Sequence, residues 1–359
     1  MIDVARRDAE VARLLQAQGP RVSIFQPTHL AYPDNQQDPI VFKNSIQQAE
    51  AQLAARWPRR EWEELIPRLT ALQEDQAFWA HTTRGLAVLA AQGQLAAFKL
   101  DEATDNRVMV GSHFHLLPIY PLLQSTAQAY LTDISRDRFS IYKVSREGRE
   151  QVELPDVKAS FPELFNDFDK DSNLNVGSYS GLVGTHHGHR ARAEEVQKDR
   201  EKYFRYLDEA FTKLHKQTGL PMILAGTDSN LAQYRGLAKG GFYLEGAITQ
   251  PLDSMDHRQL DAQVTDILQP QVLKVLDSFT TRIRNARNEG KAVGGLAEIH
   301  KAAGEGRVAL LLCHDRVPEQ ERERLDDAAE LVLQNGGELY AVGPDDLDLG
   351  GRCLALTRF

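Results

Sequence analysis

Three histidines lie within four residues in the segment Gly184-Thr185-His186-His187-Gly188-His189, and Arg190 and Arg192 follow directly. The segment stands immediately before a stretch that is predicted to be a long helix, where unpaired backbone amides and the helix dipole favour a bound anion. Arginine can hold a phosphate through two parallel hydrogen bonds. These residue types and their spacing therefore predict a tip that faces a phosphate-rich surface.

The same histidines also fit a metal or acid–base centre, because imidazole serves in either role near neutral pH. His186 and His187 are adjacent and cannot easily reach one ion together, while His187 and His189 match no zinc-ligand spacing. No carboxylate is tied to them by sequence, and no metal site is predicted. Three interpretations stay open: a polynucleotide contact, a hydrolytic centre with His186, His187 and His189 as catalytic residues, and an exposed polar loop.

Two further groups of polar side chains stand out. His113 and His115 lie two residues apart, where they could ligate a metal from one face of a strand, but no third ligand is visible nearby and we interpret them as structural. Arg282, Arg284 and Arg287 cover one side of a predicted helix. Such charge runs are usually solvated helix faces, so the main candidate stays the segment before the long helix.

The composition is that of a globular protein, with 42% hydrophobic and 26% charged residues among 359. The formal net charge of −9 argues against a protein that coats nucleic acid through general electrostatics. No run approaches the roughly 18 apolar residues that cross a bilayer, and the N-terminus is charged, so a cytoplasmic protein with no membrane partner is expected. Cys313 and Cys353 lie in apolar runs typical of strands, which predicts no disulfide, and no cofactor is expected.

Strands and helices alternate along the chain, which predicts an α/β protein. The clearest helix runs from Ala191 to Gln217, because it lacks Gly and Pro and its apolar residues recur at spacings of three, four and seven. A hairpin turn is predicted at Gln92-Gly93-Gln94. A second long helix, Asp256 to Asn288, precedes a predicted flexible joint at Gly290 and Gly294-Gly295. Length and breaks together predict three domains, at 1–125, 126–265 and 266–359.

Several segments follow one another in a recognisable order. In the middle of the chain they are the charged helix with Tyr203-Phe204-Arg205 and the strand Met222-Ile223-Leu224-Ala225-Gly226. The last part adds Leu296 to Ala303, Val308 to Leu312 and Gly350 to Phe359. Over about residues 130 to 359 this order resembles the archaeal and eukaryotic class-I peptide release factors and Pelota. The resemblance implies an RNase H-like middle domain and a C-terminal domain that is a compact α-β-α sandwich.

The N-terminal third departs from those factors. Val22-Ser23-Ile24-Phe25-Gln26-Pro27-Thr28, Gly85-Leu86-Ala87-Val88 and His115-Leu116-Leu117-Pro118 resemble the bacterial archaeo-eukaryotic release factor-like families. We therefore expect a bacterial member of that group.

In the release factors the loop of the middle domain carries Gly-Gly-Gln, which helps water attack the ester bond of peptidyl-tRNA. The corresponding turn here, residues 184–189, has neither a Gly-Gly pair nor a glutamine. The water-positioning role of that motif therefore does not carry over, and peptidyl-tRNA hydrolysis is a secondary expectation. The first domain has no Asn-Ile-Lys-Ser decoding loop, so stop-codon reading is not expected.

The resemblance implies a ribosome-associated translation factor for rescue, recycling or dormancy. Its expected partners are the ribosome, through rRNA and tRNA, and a translational GTPase, while the oligomeric state is left open. In this interpretation Arg190, Arg192 and Lys198 contact phosphate, the three histidines stack on or hydrogen-bond to bases, and Gly184, Thr185 and Gly188 complete the RNA-contacting turn. The alternatives are a histidine-dependent hydrolase or nuclease acting on RNA or peptidyl-tRNA, and a non-catalytic interaction scaffold.

Overall fold

The computed structural model describes residues 4–30, 32–123, 128–135, 138–145, 148–160, 163–164, 188–314 and 317–359, with the backbone alone at 4–5, 148 and 188–196. Its helices are α1 (Val4–Leu14), α2 (Asp38–Arg56), α3 (Leu65–Glu74), α4 (Gln76–Trp79), α5 (Gly188–Thr218), α6 (Asp228–Leu237), α7 (His257–Asn288), α8 (Leu296–Gly304) and α9 (Glu319–Gln334). Its strands are β1 (Arg21–Pro27), β2 (Gly85–Ala91), β3 (Gln94–Leu100), β4 (Arg107–Gly111), β5 (Gln128–Ile134), β6 (Phe139–Ser145), β7 (Gly148–Gln151), β8 (Met222–Ala225), β9 (Tyr243–Ile248), β10 (Ala292–Gly294), β11 (Val308–His314), β12 (Glu338–Val342) and β13 (Cys353–Thr357).

The chain forms two compact units. Unit 1 combines residues 1–124 with residues 274–359, and unit 2 is the continuous segment 125–273. The division into three domains at 1–125, 126–265 and 266–359 stays a prediction.

The first sheet of unit 1 has the order β3-β2-β1-β4, and all of its neighbouring strands are antiparallel. Alternate residues of β2 enter different cores: Val88 and Ala90 pack with residues of α2 and α3, while Leu89 and Ala91 enter a second core. Every residue of β2 is buried as a result. A strand that is covered on both faces reads as a continuous apolar run, which explains its sequence Gly-Leu-Ala-Val-Leu-Ala-Ala.

The second core joins the two ends of the chain. Leu14 of α1 and Phe114, which follows β4, belong to the same apolar cluster as Ala328 and Val332 of α9. All four side chains are buried. The first and last parts of the chain are therefore stabilised by one shared interior.

The last sheet, also in unit 1, has the order β10-β13-β11-β12, with β11 and β12 parallel and the other neighbours antiparallel. Ile299 of α8 and Leu325 of α9 pack with Leu311 on one face. Phe279 of α7 packs with Leu310 in a separate cluster, because successive strand residues point to opposite faces. Helices thus cover both faces, and the α-β-α sandwich predicted for this part of the chain is confirmed.

Unit 2 is built on a five-stranded sheet of order β7-β6-β5-β8-β9. Strand β6 is antiparallel to both of its neighbours, β5 and β7, while β5, β8 and β9 are parallel. This arrangement is that of an RNase H-like sheet, as the resemblance to the release factors implies. One cluster joins the sheet to Phe204 and Phe211 of α5, and another joins it to Leu260 and Val264 of α7.

The predicted flexible joint at Gly290 and Gly294-Gly295 is wrong. Ala292–Gly294 form the edge strand β10, in which Val293 lies opposite Ala355 of β13. Helix α8 then begins at Leu296. The segment is therefore part of the last sheet. Among the described residues, no helix combines the length and apolar character needed to span a membrane.

Candidate nucleic-acid interface

Helix α5 is the longest element of unit 2 that carries predicted site residues. One side of it is apolar and buried, with Tyr203, Phe204, Leu207 and Phe211 each no more than 1% exposed. These positions recur at spacings of three, four and seven, so they form one stripe along the helix. The helix ends at Thr218, where Gly219 adopts a φ of +71° that suits glycine. Burial of this stripe fixes which side of α5 faces solvent.

The solvent side of α5 carries a row of cations. The exposed residues Lys198, Lys202, Arg205, Lys213 and Lys216 are separated by four, three, eight and three positions. At about 100° per residue they lie within roughly 80° of the helix circumference, and the row is about 27 Å long at ~1.5 Å per residue. We call these five residues the cationic face. Glu209, also exposed, is the acidic residue within the same row.

Two members of the cationic face form ion pairs along the helix. Lys202 Nζ lies 3.0 Å from an Asp199 oxygen, and Arg205 Nη2 lies 3.7 Å from a Glu201 oxygen. The side chains of Lys202 and Arg205 are 63% and 59% exposed. Pairs of this kind contribute at most about 1 kcal/mol and are screened by salt. A polyanion can therefore compete for both cations.

A polar cluster behind the cationic face holds α5 against α6 and β9. Asp208 is 8% exposed and accepts hydrogen bonds from the Tyr243 hydroxyl at 2.7 Å and the Lys239 amide at 3.0 Å. The Tyr234 and Tyr243 hydroxyls lie 2.8 Å apart. Burial raises the pKa of Tyr243, so its hydroxyl stays protonated and keeps donating to Asp208. The ring of Phe204 also packs edge-on to Tyr234 at 5.4 Å. These contacts position the helix that carries the cations.

The structure places the predicted site residues in three groups. Gly184, Thr185, His186 and His187 lie outside the described residues. For Gly188, His189, Arg190 and Arg192 the backbone alone is described, and it is already helical, because α5 begins three residues earlier than predicted. Lys198 is exposed and belongs to the cationic face. The roles assigned to these residues stay predictions.

Sequence reasoning missed four residues of the cationic face, namely Lys202, Arg205, Lys213 and Lys216. The signal that could have found them was present. Their spacing follows the helical period, and they lie opposite the apolar stripe used to predict the helix. A net charge of −9 for the whole chain does not reveal a local row of cations.

His113 and His115 each face a carboxylate. Nδ1 of the buried His115 lies 2.8 Å from an Asp326 oxygen, and Nδ1 of His113 lies 3.2 Å from a Glu330 oxygen. The hydrogen bond to Glu330 is the main cause that raises the pKa of His113. Within the described ranges, no three metal-ligating side chains converge. The pair therefore holds α9 against the first sheet.

The arginines of α7 lie on its surface and bind neighbouring groups of unit 1. Arg282 Nη2 donates to Glu338 at 3.1 Å, and Arg287 Nη2 donates to the Asp348 carbonyl at 3.1 Å. Arg284 donates to the Thr281 hydroxyl on the same helix. These contacts are typical of a solvent-exposed helix face whose arginines bind groups next to it in unit 1.

Comparison with known proteins assigns the chain to a class. Residues 130–307, which include α5, match a family described as bacterial archaeo-eukaryotic release factor family 3. The chain is therefore a release-factor-like protein. It belongs to the bacterial archaeo-eukaryotic release factor-like family, as its sequence predicts.

Solved structures of related factors are also similar. An archaeal Pelota, from a structure of ribosome-bound Pelota and ABCE1, is 17% identical with a TM-score of 0.42, over 74% of this chain and 72% of that chain. Dom34 of S. cerevisiae is 14% identical with a TM-score of 0.41, over 74% and 75%. The archaeal termination factor aRF1 is 15% identical with a TM-score of 0.27, over 98% of both chains. No curated protein matches the chain.

Proposed function

We propose that the protein is a ribosome-associated translation factor for rescue, recycling or dormancy, in which α5 faces RNA. The cationic face carries this proposal, because it gathers Lys198, Lys202, Arg205, Lys213 and Lys216 on one side of a helix in a chain whose net charge is −9. Such segregation of charge directs one surface toward a polyanion. A family named for release factors makes ribosomal RNA the fitting polyanion, with tRNA and a translational GTPase as further partners.

The predicted tip at residues 184–192 extends this interpretation. Because α5 begins at Gly188, residues His189, Arg190 and Arg192 belong to its first two turns and precede the cationic face along the same helix. Amides at a helix N-terminus and nearby arginines favour phosphate. The tip would then offer a second RNA contact at the N-terminal end of the helix that carries the cationic face.

Cosedimentation with bacterial ribosomes at about 50 mM and about 200 mM salt tests the proposal, since phosphate contacts weaken steeply over this range. The full-length protein should pellet with ribosomes at low salt and be released at high salt. Replacing Lys198, Lys202 and Arg205 together by Glu should reduce binding about tenfold or more. The matched control replaces the exposed residues Arg59, Arg60 and Arg68 of unit 1 by Glu, which changes the net charge equally.

Two results would contradict the proposal. One is a wild-type protein that stays in the supernatant with ribosomes at low salt. The other is equal loss of binding in the cationic-face variant and its matched control, because net charge alone would then explain the effect. Peptide release from peptidyl-tRNA, assayed in parallel with His186, His187 and His189 replaced by Ala, separates a binding tip from a hydrolytic one.

A further inference from the structure

Where the structure describes the side chains of α5, from Gln197 to Thr218, no exposed ring lies beside the cationic face. The aromatic residues in this range are Tyr203, Phe204, Tyr206, Phe211 and His215. Tyr203, Phe204 and Phe211 are at most 1% exposed. The two that remain are half-buried: the Tyr206 hydroxyl accepts a hydrogen bond from the Lys158 amide at 2.8 Å, and the His215 ring stacks on Phe242 at 4.6 Å. All five are engaged with the protein.

A face that carries cations but no exposed ring favours one of two kinds of RNA ligand. Proteins that hold single strands combine a positive surface with aromatic side chains on which successive bases stack. In a duplex the bases are already stacked on one another, and the protein meets phosphates and 2′-hydroxyl groups instead. A row of lysines and one arginine without a stacking platform fits the duplex.

The length of the row is compatible with a duplex. A nucleic-acid duplex carries about one phosphate per 1.7 Å of its axis, on two strands that wind around it, so a row about 27 Å long spans on the order of 16 phosphates, and those that face α5 lie within reach of its cations. Such contacts position a protein without reading sequence. The straight row along α5 thus matches a rod-shaped polyanion in length and charge.

We propose that the cationic face binds the phosphate backbone of double-stranded RNA without sequence preference. This inference rests on the proposed function for the choice of RNA as the polyanion. Glu209 lies between Arg205 and Lys213 in the row and opposes binding, because its carboxylate faces the same phosphates. The cations N-terminal and C-terminal to Glu209 act as two clusters on one backbone.

The test is a titration of the full-length protein with a labelled RNA duplex of about 16 base pairs, the span of a duplex-binding domain. A single-stranded oligouridine with the same number of phosphates is the comparison. The duplex should bind at least several-fold more tightly at low salt. Replacing Lys213 and Lys216 by Glu should weaken duplex binding and reduce the slope of log K against log salt by about 2, at ~0.9 per phosphate contact.

Glu209→Lys supplies a change that misfolding cannot imitate. This variant should bind the duplex more tightly and steepen the salt dependence by about one phosphate contact. Replacing Arg59 and Arg60 by Glu, the matched control for the double change, should leave duplex binding unaltered. If the oligouridine binds as tightly as the duplex, or if Glu209→Lys leaves duplex affinity unchanged, the inference is wrong.

The outcome also separates this inference from the proposed function. A protein that cosediments with ribosomes, but whose duplex binding does not depend on the cationic face, keeps the proposed function and loses the inference. A protein that binds the duplex through the cationic face, but never pellets with ribosomes, loses the proposed function alone.

Discussion

Replacing Glu330 by Gln should strongly destabilise unit 1. Glu330 is 3% exposed and forms an ion pair with Arg21, which is 9% exposed. Its other oxygen accepts the Phe114 amide at 2.6 Å. Gln keeps the shape and one carbonyl oxygen but removes the charge, so the guanidinium of Arg21 stays buried without its counterion.

The expected loss of unfolding free energy follows from the buried, unpaired charge of Arg21. Breaking a buried pair by removing one partner costs about 3–5 kcal/mol, a large part of the roughly 5–15 kcal/mol that stabilises a typical domain. Arg21→Met in the Glu330→Gln background removes the second charge as well. The Gln oxygen still accepts the Phe114 amide, so the double variant should recover most of the lost stability.

Tryptophan fluorescence during urea unfolding measures this effect in unit 1 alone. The chain has 3 tryptophans, Trp57, Trp62 and Trp79, and all lie in unit 1. Two units need not unfold together, so a probe confined to one of them is essential. The reasoning is refuted if Glu330→Gln lowers the unfolding free energy by less than about 1 kcal/mol, or if adding Arg21→Met restores nothing.

Three further changes can be checked on the same protein. The hydrogen bond with Glu330 raises the pKa of His113 above its ordinary value of about 6.5, so its contribution to stability is present below that pH and is lost as the pH rises through the higher pKa of the folded state. His113→Gln should remove that decline in the urea midpoint, and an unchanged decline would rule out His113 as its source. Burial raises the pKa of Cys313, and Cys353 is buried too, so both thiols should resist iodoacetamide in the native protein and react in denaturant. Rapid native labelling would contradict this. Gly226 has a φ of +143°, and a Cβ there would lie 2.6 Å from a carbonyl oxygen of β5. Gly226→Ala should therefore destabilise unit 2 by more than about 1 kcal/mol in hydrogen exchange, whereas Gly236→Ala, with open space around its Cβ, should not.

The elements that sequence predicted well are those set by local chemistry. Helix α5 was expected from Ala191 to Gln217 and runs from Gly188 to Thr218. The prediction succeeded because the regular spacing of its apolar residues can be seen within the segment itself. The hairpin between β2 and β3 turns at Gly93, which adopts the φ of +72° that glycine tolerates. Both features depend on neighbours along the chain.

The features that sequence could not predict depend on distant partners. Arg21 and Glu330 are 309 residues apart, and His115 and Asp326 are 211 apart, so no spacing rule connects them. Strand β10 has three residues and is defined by its pairing with β13. The cationic face lies between these cases: its spacing is local, but its exposure depends on how α5 packs on the sheet.

Unit 1 is built from two separate segments of the chain, and this affects the order in which the parts of the protein can fold during synthesis. Residues 125–273 are contiguous and can collapse as soon as they emerge, whereas residues 1–124 wait for strands β11 to β13 to complete their interior. At about 5–20 residues per second this wait lasts on the order of ten to fifty seconds. Meanwhile the nascent chain exposes Leu14 and Phe114, whose buried cluster is completed by residues of α9 such as Ala328 and Val332. A pause or premature stop late in translation should therefore leave a partly folded chain with exposed apolar surface, which is the kind of species that aggregates and that chaperones bind.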